Sequence, residues 1–193
     1  MEYDSTGQFM TVYRSADSYQ GGARSVTKLS TFDVTLTMNT ACNQAALYLG
    51  GTRNTRISDL KRFAVNSLGI LFSGSSVTLQ KATTDLTNIH TVNTGTDFRG
   101  NTVRVTLTGR EFAYYINDLT TPTFTYTLDY DVDPGYVWLS EYYTSWPPPG
   151  LEIHDLQISG TRVYNKPIHR GVMLESYHDG TQEVVGTVFI DDC

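Results

Sequence analysis

The sequence predicts an all-β fold in which two antiparallel sheets pack as a sandwich. Three observations carry that prediction. Between Val103 and Ile158, four short runs of β-favouring residues are separated by turn residues: Val103 to Leu107, Phe112 to Asn117, Tyr136 to Leu139 and Leu151 to Ile158. Thr and Ser dominate the polar residues, and only 18% of the chain is charged, which suits pleated surfaces where Lys and Glu are depleted. Helical periodicity is scarce, and its best stretch, Ile57 to Phe63, is long enough for about two turns.

At 193 residues the chain is long for an average domain and ordinary for one β-sandwich. A hydrophobic content of 39%, with 12% aromatics, is ample for a core.

The elements follow in order. Phe32, Val34, Leu36 and Met38 alternate with Asp33, Thr35 and Thr37, the pattern of a half-buried strand. Ala45, Leu47 and Leu49 repeat it before Gly50-Gly51. Phe63 to Phe72 is more continuously apolar, and Ser73-Gly74-Ser75-Ser76 turns it into Val77-Thr78-Leu79 as a hairpin. Thr83 to Gly100 is rich in Thr, Asn and Asp, so it predicts a short strand around Ile89 within loops. Thr123 to Asp133 is the longest period-two stretch, with Phe124, Tyr126, Leu128, Tyr130 and Val132 on one side. Trp138 and a neighbouring Tyr are expected to alternate into the core.

Residues 1–165 form the predicted sandwich and residues 166–193 a C-terminal hairpin or arm. In the latter, Val172-Met173-Leu174 and Val184 to Ile190 flank His178-Asp179-Gly180-Thr181, and Asp-Gly is a hairpin turn signal. This tail either completes the sheet or docks on a neighbouring subunit, the second giving a homo-oligomer.

Bulk properties exclude several functions. Fourteen Lys plus Arg against twenty Asp plus Glu give a net charge of −6. No basic cluster offsets this, so a nucleic acid would be repelled. No apolar run approaches the ~20 residues of a membrane helix, so membrane insertion is not expected. Met1-Glu2-Tyr3-Asp4-Ser5 is acidic and polar, unlike a secretory signal. The chain is therefore expected to be made in the cytoplasm or to be a mature fragment behind a Met. Cys42 and Cys193 match no zinc or redox spacing and read as separate thiols or as a bridge holding the C-terminus. The absence of any Asn-x-Ser/Thr sequon argues against a eukaryotic secretory history.

Aromatic side chains are the best candidates for function. Trp138, Tyr142, Tyr143 and Trp146 fall together, ahead of Pro147-Pro148-Pro149-Gly150. Prolines stiffen a loop, and a stiff loop presents flat rings to a sugar or a protein at little entropic cost. Tyr142, Tyr143 and Trp146, with Tyr115 at the end of its β run, are the candidate ligand-binding residues. Asp129, Asp131 and Asp133, followed by Gly135 and Glu141, echo a calcium loop. On an extended strand, carboxylates two residues apart are ~6.8 Å apart, too far for three to share one ion without a bend near Asp133.

These residues resemble a family. Val103 to Leu119, ending in Tyr115-Ile116-Asn117, looks like the strand pair of concanavalin A-like and laminin G-like jelly rolls, which runs into a Tyr-x-Asn-Gly turn. The expected Gly is Asp118 here. Leu68 to Leu79 is similar to the preceding family hairpin. Leu151 to Tyr164, with Ile153 to Ile158 before Val163-Tyr164-Asn165, resembles the closing strand and its exit. The resemblance spans roughly residues 30 to 165 and implies a two-sheet antiparallel jelly roll, with sugar or surface binding as a family tendency.

Two enzymatic resemblances are weaker. Glu152 to Gln157 resembles the Glu-x-Asp-x-x-Glu strand of family 16 β-glucanases, but His154 and Gln157 replace two of the carboxyls that chemistry requires. Asn88-Ile89-His90 and Glu152-Ile153-His154 echo an alginate-lyase strand without its Tyr-Phe-Lys motif. The expectation is therefore a non-catalytic β-sandwich for attachment or display, of virion, phage-surface or adhesin type. Its partners would be glycans or protein subunits, and its location a virion or extracellular surface. The alternative is a carbohydrate-active enzyme, a glycoside hydrolase or polysaccharide lyase, with Glu152 or His154 in its cleft.

Overall fold

A computed structural model describes residues 10–14, 21–25, 27–38, 44–51, 66–83, 85–141, 153–163, 177–178 and 183–184. The candidates Tyr142, Tyr143 and Trp146, both cysteines and Ile57 to Phe63, the best stretch for a helix by sequence, lie outside these residues. Every regular element among the described residues is a strand. In chain order they are β1 (Met10–Arg14), β2 (Gly21–Ser25), β3 (Phe32–Met38), β4 (Gln44–Leu49), β5 (Ser67–Ser73), β6 (Ser76–Ala82) and β7 (Leu86–Asn93). Then come β8 (Thr102–Thr108), β9 (Glu111–Ile116), β10 (Phe124–Thr127), β11 (Val137–Glu141), β12 (Ile153–Ser159), β13 (Tyr177–His178) and β14 (Glu183–Val184).

Two antiparallel sheets form, as the sequence predicts. One has seven strands in the order β1-β2-β11-β4-β5-β6-β7, the other five in the order β10-β9-β8-β3-β12. Their inward residues make one core. Phe32, Val34, Leu36 and Met38 of β3, Val103, Val105 and Leu107 of β8, and Phe112 and Tyr114 of β9 meet Leu47, Leu49, Ile70, Phe72, Val77 and Leu79. Fully burying one such Leu, Val or Phe side chain contributes roughly 1.5–3 kcal/mol, so this interior dominates the stability of the sandwich. In the C-terminal unit, Tyr164–Cys193, β13 pairs antiparallel with β14 and sets Tyr177 opposite Val184.

Two hairpins are as tight as their sequences imply. Ser73 and Ser76 are paired across Gly74-Ser75, with Gly74 at φ 57°. Thr108 and Glu111 are paired across Gly109-Arg110, with Gly109 at φ 59°. Positive φ is the reason glycine opens each turn.

Three expectations need correction. The segment after Thr83 carries not a short strand but the eight-residue β7. A bulge lies opposite Leu79 and Gln80, which pair with His90 and Asn88 and leave Ile89 between them. Thr123 to Asp133 is not one strand either: pairing with β9 stops at Thr127, and the Leu128 amide instead donates to the Arg110 carbonyl at 2.9 Å.

Trp138 is buried, at 5% exposure, but not in the main core. Val137 and Leu139 point there; Trp138 lies on the opposite face of the sheet with Ala46, Tyr48 and Ala82. It stands opposite Tyr48, which stands opposite Gly69. A Cβ at Gly69 would meet the Tyr48 ring at 3.0 Å, so the missing side chain is what lets the ring lie across the neighbouring strand.

Candidate functional site

The outward face of the five-stranded sheet is polar by alternation. β3 turns Asp33, Thr35 and Thr37 outward, β8 turns Thr102, Arg104 and Thr106, and β9 turns Ala113 and Tyr115. Pairing sets Arg104 between Thr35 on one side and Tyr115 on the other. Arg104 is the single lysine or arginine in these five strands.

Its guanidinium is fixed from three directions. Arg104 Nε donates to Asp33 Oδ1 at 2.9 Å and Nη2 to Asp33 Oδ2 at 2.8 Å, a bidentate pair. Arg104 Nη1 donates to the Leu119 carbonyl at 2.7 Å. The guanidinium carbon lies 5.1 Å from the centre of the Tyr115 ring, within range of cation–π attraction. The Asp33 hydrogen bonds hold Arg104 more firmly protonated than an ordinary arginine, against a smaller opposing effect of burial. The two charged side chains are about one third exposed, at 31% and 35%, so the pair is open to solvent and its worth is specific orientation more than stability.

The Leu119 contact ties the sheet to the loop after β9. There Asn117 takes the positive φ, 63°, so no glycine is needed at the next position. This accounts for Asp118 where the resembling turn has Gly. Asp118 Oδ1 instead accepts from Thr120 N at 2.9 Å, Thr120 Oγ1 at 2.6 Å and Thr121 N at 3.2 Å. These donors, the Thr120 hydroxyl first, lower the Asp118 carboxyl to about 2. The result is a half-buried tyrosine, a buttressed guanidinium and an exposed, hydroxyl-bearing turn side by side. Such a surface offers ring contact and hydrogen bonds.

Of the ligand-binding candidates, Tyr115 stands at this place. Asp33 and Arg104 were not legible as a site because they lie on strands 71 residues apart. The available signal was one acid and one base, each alone at an outward position in an apolar alternation.

The candidate metal ligands do not converge. Asp131, with its side chain 80% exposed, accepts from Arg110 Nε at 2.7 Å and Nη2 at 2.9 Å. Asp133 accepts from Asn66 Nδ2 at 2.9 Å, and Asp129 is exposed. Among the described residues no three His, Cys, Asp or Glu side chains are grouped to hold an ion, and Asp129, Asp131 and Asp133 are not brought together as one. The glucanase-like stretch is broken too: β12 shifts register between His154 and Gln157, and Asp155 adopts φ 51°. Glu152 lies outside the described residues.

No protein-family profile matches the chain, and no curated protein sequence matches it. Solved structures resemble it. The carbohydrate binding module CBM66 from Bacillus subtilis superposes with a TM-score of 0.53 at 11% identity, over 80% of this chain and 96% of that one. The exoplasmic/lumenal domain of VIP36 in its Ca2+-bound form superposes with a TM-score of 0.53 at 10% identity, over 86% and 89%. Its Ca2+/Man3GlcNAc-bound form gives 0.51 at 10% identity, over 83% and 85%. The likeness is one of fold: the sandwich is a concanavalin A-like jelly roll. The narrower laminin G resemblance has no counterpart among these structures.

Proposed function

We propose that this chain is a non-catalytic glycan-binding jelly roll used for attachment or display, and that the face around Tyr115 contacts the sugar. One observation carries the reading: Arg104, itself locked by Asp33 and Leu119, supports the Tyr115 ring from the neighbouring strand. A ring held this way loses little freedom on binding, and polar donors and acceptors surround it. The names of the similar structures add support, since one is a carbohydrate binding module and another is VIP36 with Man3GlcNAc bound. Tyr142, Tyr143 and Trp146, which the sequence sets just ahead of Pro147-Pro148-Pro149, are proposed as a second aromatic contact. A virion, phage-surface or adhesin setting, and assembly through residues 166–193, complete the proposal.

The carbohydrate-active enzyme alternative receives no such support. A retaining glycosidase needs two carboxyls about 5–5.5 Å apart, whereas His154 and Gln157 stand where the resembling strand has two of its carboxyls.

A glycan array probed with the intact protein tests the reading. Retention of some glycan is expected, with loss on Tyr115→Ala while the melting temperature holds. An array with no bound glycan overturns it.

A further inference from the structure

Resting on the glycan-binding reading of the same face, we propose that Asp33 sets the Tyr115 site for uncharged sugars. It does so by occupying the Nε–Nη2 edge of Arg104, leaving a guanidinium that donates hydrogen bonds while its charge is matched.

A guanidinium carries five N–H donors, one on Nε and two on each terminal nitrogen. Three are engaged: Nε–H and one Nη2–H with Asp33, and one Nη1–H with the Leu119 carbonyl. One N–H on each terminal nitrogen is left over by this count. Those two suit a hydroxyl or ring oxygen beside the Tyr115 ring. A uronate carboxylate or a sulfate asks for more, because its charge-assisted hydrogen bonds draw on net positive charge. Asp33 already matches that charge with a carboxylate of its own on the Nε–Nη2 edge.

The surrounding charges point the same way. Glu111, exposed on β9, accepts a hydrogen bond from Thr127 Oγ1 at 3.0 Å. Asp118 stands at the other end, in the turn that Arg104 holds through Leu119. With Arg104 the sole lysine or arginine of the five strands, the described face carries more negative than positive charge. An anionic sugar meets repulsion there, and a neutral one does not. Asp33 is thus a specificity-determining residue, and Tyr115 the contact it serves.

The test is calorimetry at low salt with matched pairs, a neutral galacto-oligosaccharide against oligogalacturonate of equal length, after an array spanning neutral, uronate and sulfated glycans has located binding. Wild-type protein should bind the neutral member of the preferred pair. Asp33→Asn should raise affinity for its uronate counterpart by about tenfold, a gain that shrinks as salt is added. Asp33→Ser is the second variant, and unfolding curves confirm that each keeps its fold. Adding Arg104→Gln to Asp33→Asn should abolish the gain. A wild-type preference for the uronate, lost in Tyr115→Ala, overturns the selectivity and leaves glycan binding standing. Asp33 variants that fold and gain no uronate affinity overturn it as well. An array with nothing bound overturns the glycan reading, and this proposal falls with it.

Discussion

The imidazole of His90 stacks on the ring of Tyr126, with centroids 4.5 Å apart and planes inclined by 21°. His90 belongs to β7, at one end of the seven-stranded sheet, and Tyr126 to β10, at one end of the five-stranded sheet. Phe124 flanks the same imidazole at 6.1 Å, and Tyr126 packs against the core. Aromatic surface therefore joins the two sheets along this side of the sandwich, where no ladder connects them.

Because the stack bridges the two sheets, His90→Ala and Tyr126→Ala should not add. A double-mutant cycle in urea unfolding is expected to give a coupling of about 0.5–1.5 kcal/mol. Strict additivity would mean that the rings lie together without supporting each other.

Tyr114 predicts an alkaline limit to stability. It is fully buried, stacks on Phe124 at 5.3 Å, and its hydroxyl has no hydrogen-bond partner among the described residues. Burial raises its ionisation well above the ordinary 10.0. The folded state then holds the proton more tightly than the unfolded state. Stability from this group is complete below pH 10 and declines as pH rises beyond it. Tyr114→Phe should flatten that decline, and at neutral pH should be neutral or stabilising by up to about 1 kcal/mol, because no bond is lost. Thermal melts of both proteins between neutral pH and pH 11 decide the matter.

Those buried aromatics also show what was legible in the sequence. Strand β3 can be read directly because each buried residue alternates with a half-exposed one, and its burial follows that order without exception. β7 could not be read so. It pairs with a single neighbour, its residues are exposed or half-exposed throughout, and the extra residue Ile89 shifts the period where the apolar residues might have shown it. After Thr127 the opposite happens. Leu128 is buried and Tyr130 and Val132 are half-buried, while Asp129 and Asp131 are exposed, although the ladder has ended. Apolar alternation reports which side faces the core, not whether the backbone is paired. Tyr115 was visible as an aromatic at a strand end. Its support from Arg104 and Asp33 depends on the pairing of β3 with β8, a long-range fact that no local pattern encodes.

The acid limit has a different origin. Hydrogen bonds from Thr120 and Thr121 lower the Asp118 carboxyl from 3.8 to about 2. Hydrogen bonds from Arg99 lower Asp97, and those from Arg110 lower Asp131. In each case the folded state binds its proton less readily than the unfolded chain. The stabilisation is present above the unfolded value and is lost as pH falls through the folded one. For Asp118 the window runs from 3.8 down to about 2. Melting temperature should fall across it, and the fall should be shallower in Asp118→Ala. The same melts should rise no more with calcium in wild-type protein than in Asp131→Asn, since Arg110 holds that carboxylate. A calcium response abolished by the Asn variant would restore Asp131 as a ligand.

Gly135 predicts a large single loss. Its amide donates to the Leu29 carbonyl at 2.8 Å, and its carbonyl accepts from the Leu29 amide at 2.7 Å. Alongside, Gly50 donates to the Tyr136 carbonyl at 3.0 Å and Gly51 to the Asp133 carbonyl at 2.8 Å. Two backbones therefore cross in contact. A Cβ on Gly135 would overlap the Gly51 carbonyl oxygen and the Gly50 carbonyl carbon. Neither is the movable end of a side chain, so relief requires one backbone to withdraw and give up some of these bonds. Gly135→Ala should cost about 3 kcal/mol, whereas Gly74→Ala, with open space around its Cβ, should cost only the strain of its positive φ, about 1 kcal/mol. Chemical denaturation of the two variants side by side separates a steric crossing from an ordinary glycine turn, and equal losses would show that the crossing yields.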